Sequence, residues 1–125
     1  MNILITGVAG LIGSRLSSWI IENTGHKVVG VDNLSGGYIE NIDNRIEFHN
    51  LDLMEDFEKI DDLFRKNNFD IVYHLAAYAA EGLSPFIRVF NYRNNLLASA
   101  NLINNSIKYN VERFTAILST CMYPD

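Results

Sequence analysis

Residues 7–13, Gly7-Val8-Ala9-Gly10-Leu11-Ile12-Gly13, follow the apolar run Ile3-Leu4-Ile5 and lead directly into a stretch with helical periodicity. A chain that turns from a buried strand into a helix this abruptly needs glycine for the turn and for the close contact of helix on strand. The same geometry leaves the backbone of Gly7 and Gly10 bare. It also leaves the N–H groups of the helix's first turn, Leu11 and Ile12, without intrahelical partners. Free amides and the positive end of the helix dipole together suit an anion such as a phosphate. Glycine spacing alone is a weak signal, because any strand-to-helix turn can need glycine. Its place between a strand and an amphipathic segment strengthens the phosphate reading.

The rest of the chain repeats the alternation. Lys27 to Val31, Ile46 to His49, Ile71-Val72-Tyr73 and Phe114 to Leu118 read as further strands, mostly near-continuous apolar runs as in parallel sheets covered on both faces. Leu11 to Asn23 reads as a helix with Ile12, Leu16, Trp19 and Ile20 on one stripe and Gly25 as a left-handed stop. Glu55 to Asn67 reads as a second, with Phe57, Ile60, Leu63 and Phe64 inward. Ser84-Pro85 signals a third, running to about Tyr109. Right-handed crossovers then give an α/β, doubly wound parallel sheet of order 3-2-1-4-5. No repeat or linker divides residues 1–125, so one domain is expected. The sheet reads as truncated after the fifth strand, half of a two-part Rossmann-type nucleotide-binding sheet.

Composition narrows the function. Ten basic and fifteen acidic residues give a net charge of −5, which argues against nucleic acid as a partner. The single cysteine, Cys121, excludes a disulfide scaffold and fits a reducing compartment. No apolar run approaches a membrane span and no basic signal-peptide start is present, so a cytoplasmic protein without membrane partners is expected. No metal site is expected.

Asp32 ends the second strand, nineteen residues after Gly13. A carboxylate there can accept hydrogen bonds from the ribose hydroxyls of a dinucleotide, and would repel a 2′-phosphate. Asn33 to Gly37 offers no arginine to receive one, so NAD is preferred over NADP. An ordinary turn-initiating aspartate is the alternative.

With these features in view, the sequence resembles the extended short-chain dehydrogenase/reductase family, and within it the nucleotide-sugar epimerases and dehydratases. The glycines take that family's Gly-x-x-Gly-x-x-Gly form. Asp32-Asn33-Leu34-Ser35 looks like the ribose-binding segment of UDP-glucose 4-epimerase-like members, and Asp52-Leu53 is similar to the pair that meets adenine. His74-Leu75-Ala76-Ala77 matches the segment lying along the cofactor, Asn94-Asn95 the asparagine region, and Ser119 to Tyr123 the Ser-Ser-x-x-x-Tyr element. The resemblance therefore implies cofactor contacts at Asn33, Asp52, Leu53, Leu75, Ala76, Ala77 and Asn95, and a catalytic role for Ser119. Each has a plainer reading. Asp52 with Glu55 could be a capping box, His74 a packed strand-end histidine, Asn95 an exposed helical residue, and Tyr78, Tyr92 and Cys121 packing.

The reaction the resemblance implies starts with hydride transfer from a sugar carbon to NAD, while a tyrosine takes the hydroxyl proton and a lysine four residues later lowers that tyrosine's pKa. Ser119 would hydrogen-bond the reacting oxygen. Four residues after Tyr38, Tyr73, Tyr78, Tyr92 and Tyr109 stand Ile42, Ala77, Gly82, Leu96 and Arg113, and Tyr123 is followed by only two residues. No Tyr-x-x-x-Lys pair is present, so the chain alone is expected to be inactive. The nucleotide-sugar would then need the missing half, and the helix from Pro85 could join two copies as a homodimer. A non-catalytic NAD-binding or regulatory module, a different nucleotide-sugar dehydratase or reductase, and a reading frame whose product does not fold stably are the alternatives.

Overall fold

The computed structural model describes residues 1–79 and 82–117; Ser119, Cys121 and Tyr123 lie outside the described residues. Five strands form one sheet: β1 (Asn2–Thr6), β2 (Lys27–Asp32), β3 (Glu47–Asn50), β4 (Ile71–His74) and β5 (Arg113–Ala116). Their order is β3-β2-β1-β4-β5 and every pairing is parallel, as the alternating pattern requires. β1 sits at the centre, so its C-terminal end, where Thr6 gives way to Gly7, falls in the middle of one sheet edge. That is the switch point at which open α/β sheets place ligands.

Strand alternation splits the core between the two faces. Leu4, Val29, Val31 and Val72 face Ile60, Leu63 and Phe64 of α2 (Phe57–Asn67) and Ala98 and Leu102 of α4 (Ala98–Lys108). Ile3, Ile5 and Val28 face the other way, against Ile20 of α1 (Leu11–Asn23) and Ile46.

Several readings of the elements need correction. The buried residues of α1 are Gly13, Ser17 and Ile20, whereas Ile12 and Trp19 are more than half exposed. Small residues let the helix lie close to the sheet, so of the apolar stripe Ile20 and Leu16 pack while Ile12 and Trp19 face outward. α1 stops at Thr24, whose N–H and hydroxyl both donate to the Ile20 carbonyl, and Gly25 has no left-handed role. α2 begins at Phe57 with Asp56 before it, not at Glu55.

Ser84-Pro85 opens an isolated turn rather than a helix. The amides of Phe86 and Ile87 both reach the Leu83 carbonyl, and Ile87 (φ −121°, ψ 35°) then leaves helical space. The helical run begins only at α3 (Arg88–Asn91), passes through a π-helical segment (Tyr92–Leu97) and continues as α4. Its buried residues lie on α4 alone, at Ala98, Leu102, Asn105 and Ser106. Val89, Tyr92, Leu96, Ile103 and Ile107 are exposed. Among the described residues β5 pairs only with β4, so it is an edge there.

Candidate functional site

The turn after β1 is built as the sequence suggests. Gly7 has φ +73°, and a Cβ at this position would lie 2.7 Å from the Ala76 nitrogen, so only glycine fits between β1 and the chain leaving β4. Its N–H donates to the Val31 carbonyl at 2.8 Å, tying the turn to β2. Gly13 allows the start of α1 to rest on Gly7, since a Cβ there would overlap the Gly7 carbonyl. Gly10 precedes α1 and no side chain caps the helix, so its first amides are available to a ligand.

Asp32 is fixed at both carboxylate oxygens. Oδ2 accepts the Ala9 N–H at 3.0 Å and Oδ1 the Leu34 N–H at 2.8 Å. The carboxylate therefore joins the glycine turn to the loop after β2, and each oxygen keeps accepting capacity for a hydroxyl. Asp52 sits beside it in the same way. Its Oδ2 accepts from the Asn33 amide at 2.8 Å and its Oδ1 from the Met54 N–H at 2.7 Å. Asp52 and Glu55 form no capping box, because the Asp52 N–H donates to Asp56 while Glu55 pairs with Arg93.

These groups line one cleft over the C-terminal ends of the strands. Gly7, Gly10, Asp32 and Asn33 form one side of it, Asp52 and Leu53 another, and Leu75, Ala76 and Ala77 the wall after β4. Leu11 and Ile12 do not line it. Their side chains are exposed, and what they offer is backbone N–H.

Asn95 also stands outside the lining. Its Oδ1 accepts the Tyr78 N–H at 2.8 Å and its Nδ2 donates to the Tyr78 carbonyl at 3.0 Å. The side chain clamps the cleft wall from outside the lining. His74 is a packed strand-end histidine, as the plainer reading has it. It is 5% exposed, and burial pushes its pKa down from 6.5 to about 4.

Sequence reasoning missed several members of the cleft. Gly37 meets Ala9 so closely that a Cβ would lie 2.7 Å from three Ala9 atoms, and it joins Ser35 and Gly36 in the lining. The Gly36-Gly37 pair just after Asp32 was the available signal for that close approach. Tyr78 and Phe90 stand edge-to-face with centroids 4.9 Å apart and both line the cleft with Asn94. No local pattern in the helical run signals that Phe90 meets Tyr78 here.

A parallel α/β sheet with a glycine turn at its switch point, free helix amides and a fixed acid ending the neighbouring strand defines a dinucleotide-binding class of protein. The model of the NAD dependent epimerase/dehydratase family matches residues 3–125, and the chain belongs to that family. A UDP-glucose 4-epimerase of Schizosaccharomyces pombe is 36% identical over 132 aligned positions, covering 99% of this chain and 36% of its own length. Among solved structures, the Thermotoga maritima UDP-glucose 4-epimerase with UDP-glucose is 39% identical with a TM-score of 0.88, covering 93% of this chain and 37% of that one. The Thermus thermophilus UDP-glucose 4-epimerase in complex with NAD is 34% identical with a TM-score of 0.85, covering 91% and 36%. The chain thus spans little more than a third of the length of these relatives.

Proposed function

We propose that residues 1–125 are the NAD-binding domain of a nucleotide-sugar epimerase or dehydratase, most like a UDP-hexose 4-epimerase. The observation that carries this reading is the Asp32 carboxylate, bonded to the glycine-turn amide of Ala9 and aimed into the cleft those glycines open. Gly7, Gly10 and the amides of Leu11 and Ile12 would hold the diphosphate, and Asp32 with Asn33 the adenosine ribose. Asp52 and Leu53 would border the adenine, and Leu75, Ala76 and Ala77 the remaining length. NAD, when bound, supplies a hydride acceptor for a sugar carbon. Among the described residues no lysine or arginine lines the cleft. That supports NAD over NADP, whose additional phosphate would meet Asp32 with no cation to offset it.

Ser119 would hydrogen-bond the reacting oxygen. The sequence has no Tyr-x-x-x-Lys pair, and these 125 residues alone are expected not to interconvert a UDP-hexose. Support for the sugar nucleotide as substrate comes from the UDP-glucose 4-epimerase relatives, of which the chain covers about a third. The single cysteine supports a cytoplasmic location, and the exposed apolar side of the helical run supports pairing of two copies. No helix among the described residues is long and apolar enough to cross a membrane.

Fluorescence titration with NADH and NADPH tests the reading. NADH should bind measurably and more tightly than NADPH. Equal or tighter binding of NADPH would remove the role given to Asp32.

A further inference from the structure

We propose that His74 is a positioning residue, whose ring joins Thr6 to Ser99 and so holds the cleft wall of residues 75–78 from both ends. The inference rests on the reading of this cleft as a dinucleotide site. None of the three residues lines the cleft, yet the bonds they make close a circuit around its wall. At one end the Ala76 N–H lies 3.4 Å from the Thr6 hydroxyl oxygen, and that oxygen is 2.7 Å from His74 Nδ1. On the ring's other side Nε2 is 2.9 Å from Ser99 Oγ, which stands 2.5 Å from the Asn95 carbonyl. Asn95 completes the circuit with its two-armed amide on Tyr78.

The protons can be placed by elimination. A carbonyl has none, so the Ser99 hydroxyl donates to Asn95, and its oxygen must accept from His74. Nε2 therefore carries the ring proton, Nδ1 is bare, and the Thr6 hydroxyl donates to it. Thr6 Oγ is then free to accept from the Ala76 amide. Every donor meets an acceptor only while the ring is neutral, and burial, which pushes its pKa down to about 4, keeps it so near neutral pH.

Local structure around the ring favours a fixed relay. Phe114 of β5 packs against the imidazole, with ring centroids 6.0 Å apart. The π-helical segment Tyr92–Leu97, in which the Ala98 N–H bonds back to the Arg93 carbonyl, holds Asn95 within reach of Tyr78. Such wide turns cost helical regularity and recur at functional sites. Thr6 ends the strand that becomes the glycine turn, so the circuit ties the phosphate-side turn to the opposite wall through one buried ring.

Three measurements on the full 125-residue chain decide it. Nitrogen-15 shifts of the His74 ring at about pH 7 should show the neutral Nε2–H tautomer; an Nδ1–H or charged ring overturns the circuit. In Ser99→Ala, which removes one hydroxyl from a site outside the cleft, exchange of the Tyr78 amide should quicken about tenfold relative to amides of β2. NADH affinity should fall about tenfold while the urea midpoint moves little. Wild-type Tyr78 protection in that variant, or wild-type affinity for NADH, overturns the positioning role. Should the unaltered chain fail to bind NADH at all, the cofactor reading fails, and the tautomer and exchange measurements still decide the relay.

Discussion

A single carboxylate, Asp32, shows how the fold can fix a residue at the place proposed for a ligand. Its two oxygens accept backbone N–H groups from the turn before α1 and from the loop after β2, which fixes the group before any ligand arrives. Preorganisation of this kind lowers the cost of binding. Replacing Asp32 by alanine should weaken NAD binding by roughly 1–3 kcal/mol, the value of hydrogen bonds to a charged acceptor, as read by calorimetric titration. Unchanged affinity would exclude Asp32 from the site. His74 makes a different prediction. Its folded pKa is about 4 against 6.5 for the unperturbed group. Between those values the unfolded chain binds more protons, so stability rises with pH across that window and is lost as pH falls through it. The loss should approach roughly 3 kcal/mol toward the lower value. Urea midpoints at about pH 7 and about pH 4.5 should differ accordingly, and the difference should shrink in His74→Gln. An equal difference in that variant would assign the effect to other groups.

At the level of elements, what the sequence shows depends on whether a side chain or its absence does the packing. Strand order, the two sheet faces and the inward residues Ile60, Leu63 and Phe64 of α2 are legible because buried apolar side chains repeat at strand and helix periods. α1 is misread in part because Gly13 and Ser17 share the contact with Ile20, and small residues carry no hydrophobic signal. The helix expected from Ser84 starts later because the Leu83 carbonyl satisfies the next amides in one closed turn. In the cleft, glycines and acids at fixed spacing are readable. The Tyr78–Phe90 pair and the Asn95 clamp depend on a long-range approach that no local pattern encodes. The end of α2 offers a stability test. Asn68 closes that helix in the left-handed region with φ 46°. Asn68→Ala should cost about 1 kcal/mol in urea denaturation, and Asn68→Gly should cost less or stabilise. Equal losses in both would mean that the Asn68 side chain, not its backbone conformation, matters.

Across the whole molecule, one side of the helical run from Arg88 to Lys108 is unusually apolar, with Val89, Tyr92, Leu96, Ile103 and Ile107 exposed. Contiguous apolar surface of this kind commonly marks an interface. Sedimentation velocity should show concentration-dependent association of the chain, and Leu96→Glu with Ile103→Glu should shift it toward monomer. Association unaffected by those changes would move the contact elsewhere, with the β5 edge as the next candidate. The central claim concerns the middle of the sheet, where β1 bends into α1 and the first helix amides are proposed to hold a diphosphate. Amide chemical shifts followed by NMR during an NAD titration test it directly. Saturable shifts should centre on Gly7, Ala9, Gly10, Leu11 and Ile12, with Asp32 and Ala76 responding beside them. A titration that leaves these amides unmoved, or moves only residues away from the turn, would contradict the account.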